Sequence, residues 1–471
     1  MFFSMFHCTQ KTSALWGVGL STLLLSTTLL TSAEEPSPEI RGTWLTTTAN
    51  TAIANPSNTG DTMRTLREMG LNTVYVETWK NGYTQFPSPA LAKVVGVDRT
   101  PALGQRDLLE ETLIEAHRNG LLHFAWFEYG FMAAHAGTEN RLRQLKPEWL
   151  SEDIDGNVVA PNGFVWMNPL HPEVRRFLLD LILDAVNRYD LDGVQLDDRL
   201  AWPYHTMGYD DFTRQVYAAE HDGQQPPANS QDPAWLRWRA DKVTEFAQKL
   251  HHELRAARPD LLISVSPAPF PWSYQNYACD WPAWAEAGWF DEFVPQVYRT
   301  NFPSFQSNWL EQLHYIGSRA SDLVAGIRVV GAGADTPWPD LAAKIESVRS
   351  GPAAGHVWWF SRGILEVYPE ETTALYAEAL RVPHPRRDLT WRPAPVVAER
   401  NGENGHWFAT VPDRGFYRVI EKNNGVWREG ETRFFPAGPF DLRRPGAEAV
   451  ELLVDRRGAS RPDPRSTDAC H

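Results

Sequence analysis

Asp192-Gly193-Val194-Gln195-Leu196-Asp197-Asp198 is the stretch whose reading decides the fold. A helix-like segment, residues 172–189, leads into it, and Arg199, Trp202, Pro203 and Tyr204 follow. Val194 and Leu196 alternate with polar neighbours, as on a short barrel strand, and the strand ends on two adjacent carboxylates. In an alternating β/α chain, acids at the C-terminal end of a strand lie on the rim where the loops build a site. An Asp pair capping a turn has the same local sequence, so the rest of the chain must decide between the two.

It does so by arithmetic. Short β-rich runs fall at residues 41–47, 73–79, 123–129, 192–198, 262–268, 292–298, 323–330 and 355–362. Helical patterns separate them at 59–69, 107–119, 172–189, 233–257, 281–287, 305–319, 339–349 and 370–381. Eight strands each followed by a helix predict an α/β chain folded as a TIM (β/α)8 barrel. A doubly wound open sheet would carry a Gly-rich phosphate turn after its first strand, and none follows residue 47. Two long connections, 130–171 and 199–232, leave the same rim after strands three and four, where a barrel builds a cleft. The first contains a hairpin signal at Asp155-Gly156.

The domain boundaries follow from changes in texture. Residues 1–33 read as a secretory signal: Lys11, then an apolar run of about 17 residues, then Thr31-Ser32-Ala33 before Glu34. Retained, this segment is the only one apolar enough to act as a membrane anchor. The barrel is assigned to 34–382 and a Pro-rich linker to 383–395. Alternating runs at 406–411, 416–422, 432–436 and 449–455, with Asn424-Gly425 as a hairpin turn, predict a small β-sandwich-like accessory domain over 396–457. A polar, disordered tail is expected from 458 to 471.

Net charge of −14 and the lack of a basic run exclude nucleic acid as a partner. No Cys/His cluster has zinc-site spacing, so no metal and no cofactor are expected. Twenty tryptophans suit either packing or stacking on sugar rings.

The residues at the strand ends point to a chemistry. Strand two offers Glu77 and Trp79, with Tyr83 just beyond. Strand three offers Trp126, Glu128 and Tyr129, and strand four Asp197 and Asp198. Strand five is followed by Trp281, strand six ends in Gln296 and Tyr298, strand seven in Arg328, and strand eight in Trp359. Acids with aromatics at one barrel end suit glycoside hydrolysis: one carboxyl protonates the leaving oxygen while a second attacks the anomeric carbon or activates water. By the period of two, Asp197 shares a face with Gly193 and Gln195 and projects into the barrel mouth. Asp197 is assigned as nucleophile or base. Glu128, set among Trp126, Phe127, Tyr129 and Phe131, is assigned as acid, since an apolar setting raises a carboxyl pKa. Asp198 orients Asp197 or holds a sugar hydroxyl, and Glu77 is the reserve acid. Asp291 precedes strand six on the opposite rim and reads as a structural cap. Trp79, Tyr83, Trp126, Asn168, Trp202, Trp281, Gln296, Tyr298 and Trp359 are the substrate-binding candidates.

Taken in order, several motifs resemble the glycosyl-hydrolase-like 10 barrels of bacterial cell-envelope proteins. They are Arg41-Gly42-Thr43-Trp44, Ala125-Trp126-Phe127, Asn168-Pro169 before His171-Pro172-Glu173-Val174-Arg175, the Asp192–Asp198 stretch, Ile263-Ser264-Val265-Ser266-Pro267, Asp280-Trp281 and Pro295-Gln296-Val297-Tyr298. The resemblance spans roughly residues 39–381. It implies a TIM barrel, a secreted or periplasmic site, cleavage of peptidoglycan glycan strands, and a cleft containing Asp197, Asp198, Gln296 and Tyr298. Two departures stand out. Glu128-Tyr129-Gly130 replaces the Asn-Pro often found after Ala-Trp-Phe. Where chitinase-type barrels place a Glu two positions past the last Asp, this chain offers only Asp198 and Arg199 after Asp197, which counts against a substrate-assisted mechanism. Three readings stay open: hydrolysis of peptidoglycan glycan, hydrolysis of another envelope polysaccharide, and a barrel that binds glycan without cleaving it. The last is favoured by the lack of an acid at the ends of strands five and seven.

Overall fold

Gly193–Asp197 is a fully buried parallel strand, one of eight in a single sheet. A computed structural model of the chain describes residues 37–331, 333–386, 394–401 and 406–455. The expected signal segment and C-terminal tail lie outside these residues, as does 387–393 of the expected linker. The strands are β1 (Ile40–Leu45), β2 (Thr73–Glu77), β3 (Leu122–Phe127), β4 (Gly193–Asp197), β5 (Leu262–Ser266), β6 (Glu292–Phe293), β7 (Val324–Arg328) and β8 (Gly355–Trp359). They pair in parallel in the order β6-β5-β4-β3-β2-β1-β8-β7. Bridges Phe293–Leu323 and Gln296–Gly326 bring the two edges together, so the sheet curls into a TIM-type barrel.

Helices follow the strands in turn: α1 (Pro56–Glu68), α2 (Leu108–Arg118), α3 (Pro172–Arg188), α4 (Pro233–Ala257), α5 (Trp281–Glu286), α6 (Phe302–Ile316), α7 (Trp338–Arg349) and α8 (Pro369–Tyr376). All but α2 carry proline in the first turn, where its missing N–H removes nothing from the helix ladder. Asn55, Asp232 and Asn301 cap α1, α4 and α6 through their side-chain oxygens.

β6 is far shorter than the expected 292–298. Pro295 has no N–H to give to a ladder, and the chain beyond it makes only the single bridge at Gln296. The connections hold more structure than expected. A helix, Asp211–Glu220, lies within 199–232, and a ladder pairs Met132–His135 with Phe164–Trp166 within 130–171.

The barrel interior carries a polar seam. The indole N–H of Trp44 donates to Gln195 Oε1 at 2.7 Å, and Gln195 Nε2 donates to Ser264 Oγ at 3.0 Å. This places Gln195, and with it Gly193 and Asp197, on the inward face. Gly193 is required by close approach, since a Cβ there would lie 2.3 Å from the Phe124 ring. Nearer the N-terminal end, Tyr75 Oη donates to Glu292 Oε2 at 3.1 Å.

Seven further strands follow the barrel: β9 (Val396–Val397), β10 (Glu399–Arg400), β11 (Trp407–Val411), β12 (Gly415–Asn423), β13 (Val426–Phe435), β14 (Gly438–Leu442) and β15 (Ala449–Val454). They form two small antiparallel sheets, β9-β15-β12-β13 and β10-β11-β14, with Trp407, Val411, Val419, Phe435 and Val450 buried in one cluster. Asn424 and Gly425 both take positive φ in the β12–β13 turn, as a two-residue hairpin requires. The four-stranded sheet is fastened to the barrel. Arg118 of α2 pairs with Glu451 at 2.8 Å and lies over the Trp427 ring, while Ile114 clusters with Ile420, Trp427 and Leu453. The first residues past Val382 are fastened too, with Arg386 on Asp322 at 2.6 Å and His384 buried near Glu292.

Glu292 gives this barrel a pH-dependent stability. Burial pushes its carboxyl up to about 7, against the charge of Arg386 and the Tyr75 hydrogen bond. The unfolded chain holds it near about 4.3, so the contribution of the protonated form is complete below that value and is lost as pH rises through about 7. Glu292→Gln is therefore expected to gain several degrees of Tm on the parent between pH 4.5 and pH 8. Thermal unfolding followed by circular dichroism checks this, and parallel curves for the two proteins would contradict it.

Candidate active site at the barrel mouth

Four carboxylates and two cations meet at the C-terminal ends of β2, β3 and β4. Glu77, the last residue of β2, is fully buried. Its Oε2 accepts from the Thr47 backbone N–H at 2.6 Å, and its Oε1 lies 2.8 Å from Lys80 Nζ. The same ammonium stands 3.7 Å from Oε2 of Glu128, the residue after β3, and donates to Thr48 Oγ1 at 2.9 Å. Arg199 occupies the other side of Glu128, with Nη1 at 3.8 Å from Oε1. That nitrogen also binds Asp197 Oδ2 and lies 3.2 Å from Asp198 Oδ1. Asp197 Oδ1 accepts from Gln296 Nε2, which reaches across from the segment after β6.

Local sequence fixes this arrangement. Glycine at 130 lets the β3 loop touch the β4 loop, because a Cβ there would lie 2.5 Å from the Arg199 carbonyl oxygen. That oxygen accepts from the Phe131 N–H at 3.1 Å. The guanidinium is held over the rings of Tyr129 and Phe164, at 5.8 and 6.0 Å from their centroids.

Burial sets the electrostatics. Desolvation raises Asp197 well above the usual carboxylate range; Arg199 opposes this, and the charges of Asp198 and Glu128 add to it. Asp198 is raised for the same leading reason. Glu77 is pushed up to about 7 by burial and by the charge of Glu128. The Tyr298 hydroxyl is also raised, by burial and by Asp197. Glu77, Asp197 and Asp198 are thus all held above the ordinary carboxylate range by burial, the condition under which a carboxyl can keep a proton for transfer. Access differs among them. The side chain of Asp198 is 26% exposed, against 11% for Glu128 and 3% for Asp197.

The floor is aromatic. Trp359 contacts Trp44 and Trp126 at 5.8 and 5.9 Å between ring centroids, and Tyr298 stacks on it at 5.7 Å. The indole N–H of Trp126 is buried without a hydrogen-bond partner.

Of the residues singled out in the sequence, Asp197, Asp198, Glu128, Trp126, Gln296, Tyr298 and Trp359 come together here. Tyr83 pairs with Lys80 in a short hairpin and lines an adjoining pocket of about 450 Å³ with Thr47, Asn81 and Arg106. Four others lie elsewhere and offer no face to a ligand. Trp79 is buried, donates to the Gly130 carbonyl at 3.0 Å and packs edge-on to Phe177. Trp202 is buried against Trp235 and Trp238, and Trp281 against Phe270 and Phe293. Asn168 Nδ2 is committed to Asp210 and Thr213, both at 2.8 Å. Asp291 accepts from Arg255 at 2.7 and 2.8 Å and from the Ile263 N–H at 2.7 Å, which is a packing role. The two cations, Lys80 and Arg199, were not among the sequence candidates. Their signals are the Glu77-x-x-Lys80 spacing and a guanidinium directly after paired aspartates. Among the described residues, no group of three or more His, Cys, Asp or Glu side chains is arranged to hold a metal ion.

A (β/α)8 barrel whose mouth combines buried carboxylates with an aromatic floor has the architecture of the carbohydrate-hydrolase barrels. The family model described as Glycosyl hydrolase-like 10 matches residues 39–329, and the chain belongs to that family. Glycosyl hydrolase YngK of Bacillus subtilis is 24% identical over 315 residues, covering 59% of this chain and 58% of the relative. Glycosyl hydrolase DigH of Escherichia coli K12 is 24% identical over 310 residues, covering 57% of this chain and 67% of the relative. The fold is shared with the PgaB (BpsB) glycoside hydrolase domain of Bordetella bronchiseptica, at a TM-score of 0.56 and 13% identity, covering 72% of this chain and 98% of that one. It is shared as well with the catalytic domain of Paenibacillus polymyxa β-amylase, at a TM-score of 0.53 and 10% identity, covering 73% and 98%.

Arg199 is the group whose removal should be felt most. Arg199→Met leaves Asp197 and Asp198 without their nearest cation, so the variant should lose stability as those carboxyls ionise. The expected loss is about 3 kcal/mol at pH 8 and clearly less at pH 5. Chemical denaturation at the two pH values measures it, and an equal loss at both would contradict the assignment.

Proposed function

We propose that this protein is a glycoside hydrolase that works outside the cytoplasm on the glycan strands of peptidoglycan by a two-carboxylate mechanism. The observation that carries the reading is the convergence of Glu128, Asp197 and Asp198 on one guanidinium beside the Tyr298–Trp359 stack. Proton donor, proton acceptor and sugar-sized aromatic faces then occupy one cleft. The naming of the matched relatives as glycosyl hydrolases supports the reaction class. The secretory character of residues 1–33 supports the compartment, and the family resemblance supports the glycan.

Both oxygens of Asp197 are engaged, one by Gln296 and one by Arg199, which fixes the carboxylate in orientation. It is therefore the group to face the anomeric carbon, as nucleophile or as base toward water. Glu128 is less tied. Its nearest cations stand at 3.7 and 3.8 Å, which leaves it free to meet the glycosidic oxygen and give up a proton. As the C–O bond breaks, that proton goes to the leaving sugar, and the anomeric carbon takes its new bond to Asp197 or to the water that Asp197 deprotonates. Asp198, the most accessible of the acids, meets a sugar hydroxyl and shares Arg199 with Asp197.

The test is protein from Glu34 onward incubated with intact sacculi and with peptide-stripped glycan strands, products read by mass spectrometry. Shortened glycans are expected from the parent, with turnover reduced about a thousandfold in Asp197→Asn and in Glu128→Gln. Intact strands that co-sediment with the parent protein would replace catalysis by binding, and products from another envelope polysaccharide alone would move the substrate.

A further inference from the structure

Trp272 opens a short helix, Trp272–Tyr277, in the connection that leaves β5 at the mouth of the barrel. It is 48% exposed, and among the described residues it is the one tryptophan left open to solvent. Trp289, Trp338 and Trp359 are half-buried, and the other described tryptophans are buried. Its ring meets Tyr277 edge-on at 5.3 Å between centroids, and Tyr277 meets Tyr204 at 5.5 Å. The Tyr277 hydroxyl accepts from Asn162 Nδ2 at 3.1 Å. Two residues past Asn162, Phe164 lies under the Arg199 guanidinium at 6.0 Å, which brings this row beside the acidic cluster, and burial, with the charge of Asp198, pushes the Tyr277 hydroxyl up to about 12.

Three rim connections build the row. Asn162 comes from the one after β3, Tyr204 from the one after β4, and Trp272 and Tyr277 from the one after β5. The row is also rigid. Trp202 N–H donates to the Tyr277 carbonyl at 2.8 Å, and Ser273 Oγ donates to the Cys279 carbonyl at 3.2 Å. Buried Gln312 of α6 holds the Phe270 backbone from both sides, accepting from its N–H at 2.8 Å and donating to its carbonyl at 3.0 Å. An exposed indole on a fixed support gives contact area without an ordering cost, as a recognition surface for a flat, partly apolar ring demands.

We infer that Trp272, backed by Tyr277 and Asn162, is a distal glycan subsite that stacks on a pyranose ring beyond those bound at Asp197 and Asp198. The inference rests on the hydrolase reading above and deepens it. The cleft takes chains longer than the pair of sugars flanking the broken bond, and Trp272 supplies part of the affinity for the added length. Asn162 and the Tyr277 hydroxyl offer polar partners to the sugar's ring substituents, and the indole covers its apolar face.

The test uses the full chain carrying Asp197→Asn, so that ligands stay intact, with and without Trp272→Ala or Trp272→Phe. Binding of a peptide-free octasaccharide glycan strand and of its disaccharide unit is measured by calorimetry. The parent should bind the octasaccharide more tightly than the disaccharide. Trp272→Ala should shrink that ratio about tenfold, as loss of one aromatic anchor does, while Trp272→Phe restores most of it. A ratio left intact by Trp272→Ala overturns the subsite while leaving the cleft reading in place. No binding of either ligand by the parent overturns the glycan reading, and the subsite with it. Because Trp272 is exposed, unaltered circular dichroism is expected for both variants.

Discussion

Everything at the mouth of this barrel depends on one guanidinium. Asp197, Asp198 and Glu128 are brought together by parallel strands whose spacing of about 4.8 Å leaves no room for their mutual repulsion to relax. Arg199 makes the cluster tolerable, and its own place is set by the two loops that carry the acids. Its backbone carbonyl closes onto Phe131 across Gly130, and its side chain lies over Tyr129 and Phe164. Neutralisation is incomplete, because among the described residues Lys80 is the only other cation in reach and it serves Glu77 as well as Glu128. Burial and mutual repulsion accordingly hold Glu77, Asp197 and Asp198 above the ordinary carboxylate range.

The barrel beneath is built to hold that site level. A seam from Trp44 through Gln195 to Ser264 ties β1, β4 and β5 across the interior one layer below the acids. Above it, Gln296 ties the β6 edge to Asp197 and to the Ser266 carbonyl at 3.1 Å. Pro295, by ending the β6 ladder, frees the following backbone to turn Gln296 inward. The irregular strand is thus the one that contributes the orienting amide.

How much of this could be read in the sequence follows from the range of each interaction. The eight strands and their helices carry period-two and period-3.6 patterns, with proline at the helix starts, all local signals. The inward face of Asp197 was legible for the same reason, since alternation with Val194 and Leu196 is decided within seven residues. The fate of the tryptophans was not. Trp79 and Trp202 sit close to strand ends in sequence, yet their rings turn away to pack on other elements, a choice made by partners such as Phe177 and Trp235 far along the chain. Trp272 escaped notice because a short helix inside a connection has no periodicity to reveal it. Arg199 and Lys80 each sit beside one acid in sequence, and only the curl of the sheet brings them between acids from different strands.

The C-terminal sheets act on the opposite end of the same critical strand. Arg418 of β12, fully buried, donates to His117 Nδ1 at 2.8 Å and stands 3.6 Å from Asp190. An arginine can only donate, so His117 Nδ1 accepts and its Nε2 carries the proton to Asp192 Oδ2 at 2.9 Å. Asp192 Oδ2 also accepts from the His123 N–H at 2.9 Å, where β3 begins. Asp190 and Asp192 lie just before β4, the strand whose other end presents Asp197 and Asp198. These sheets are therefore more than a module trailing behind the barrel. They bury the root of β4 in a network of charge, and a residue more than two hundred positions downstream helps fix where the two aspartates stand.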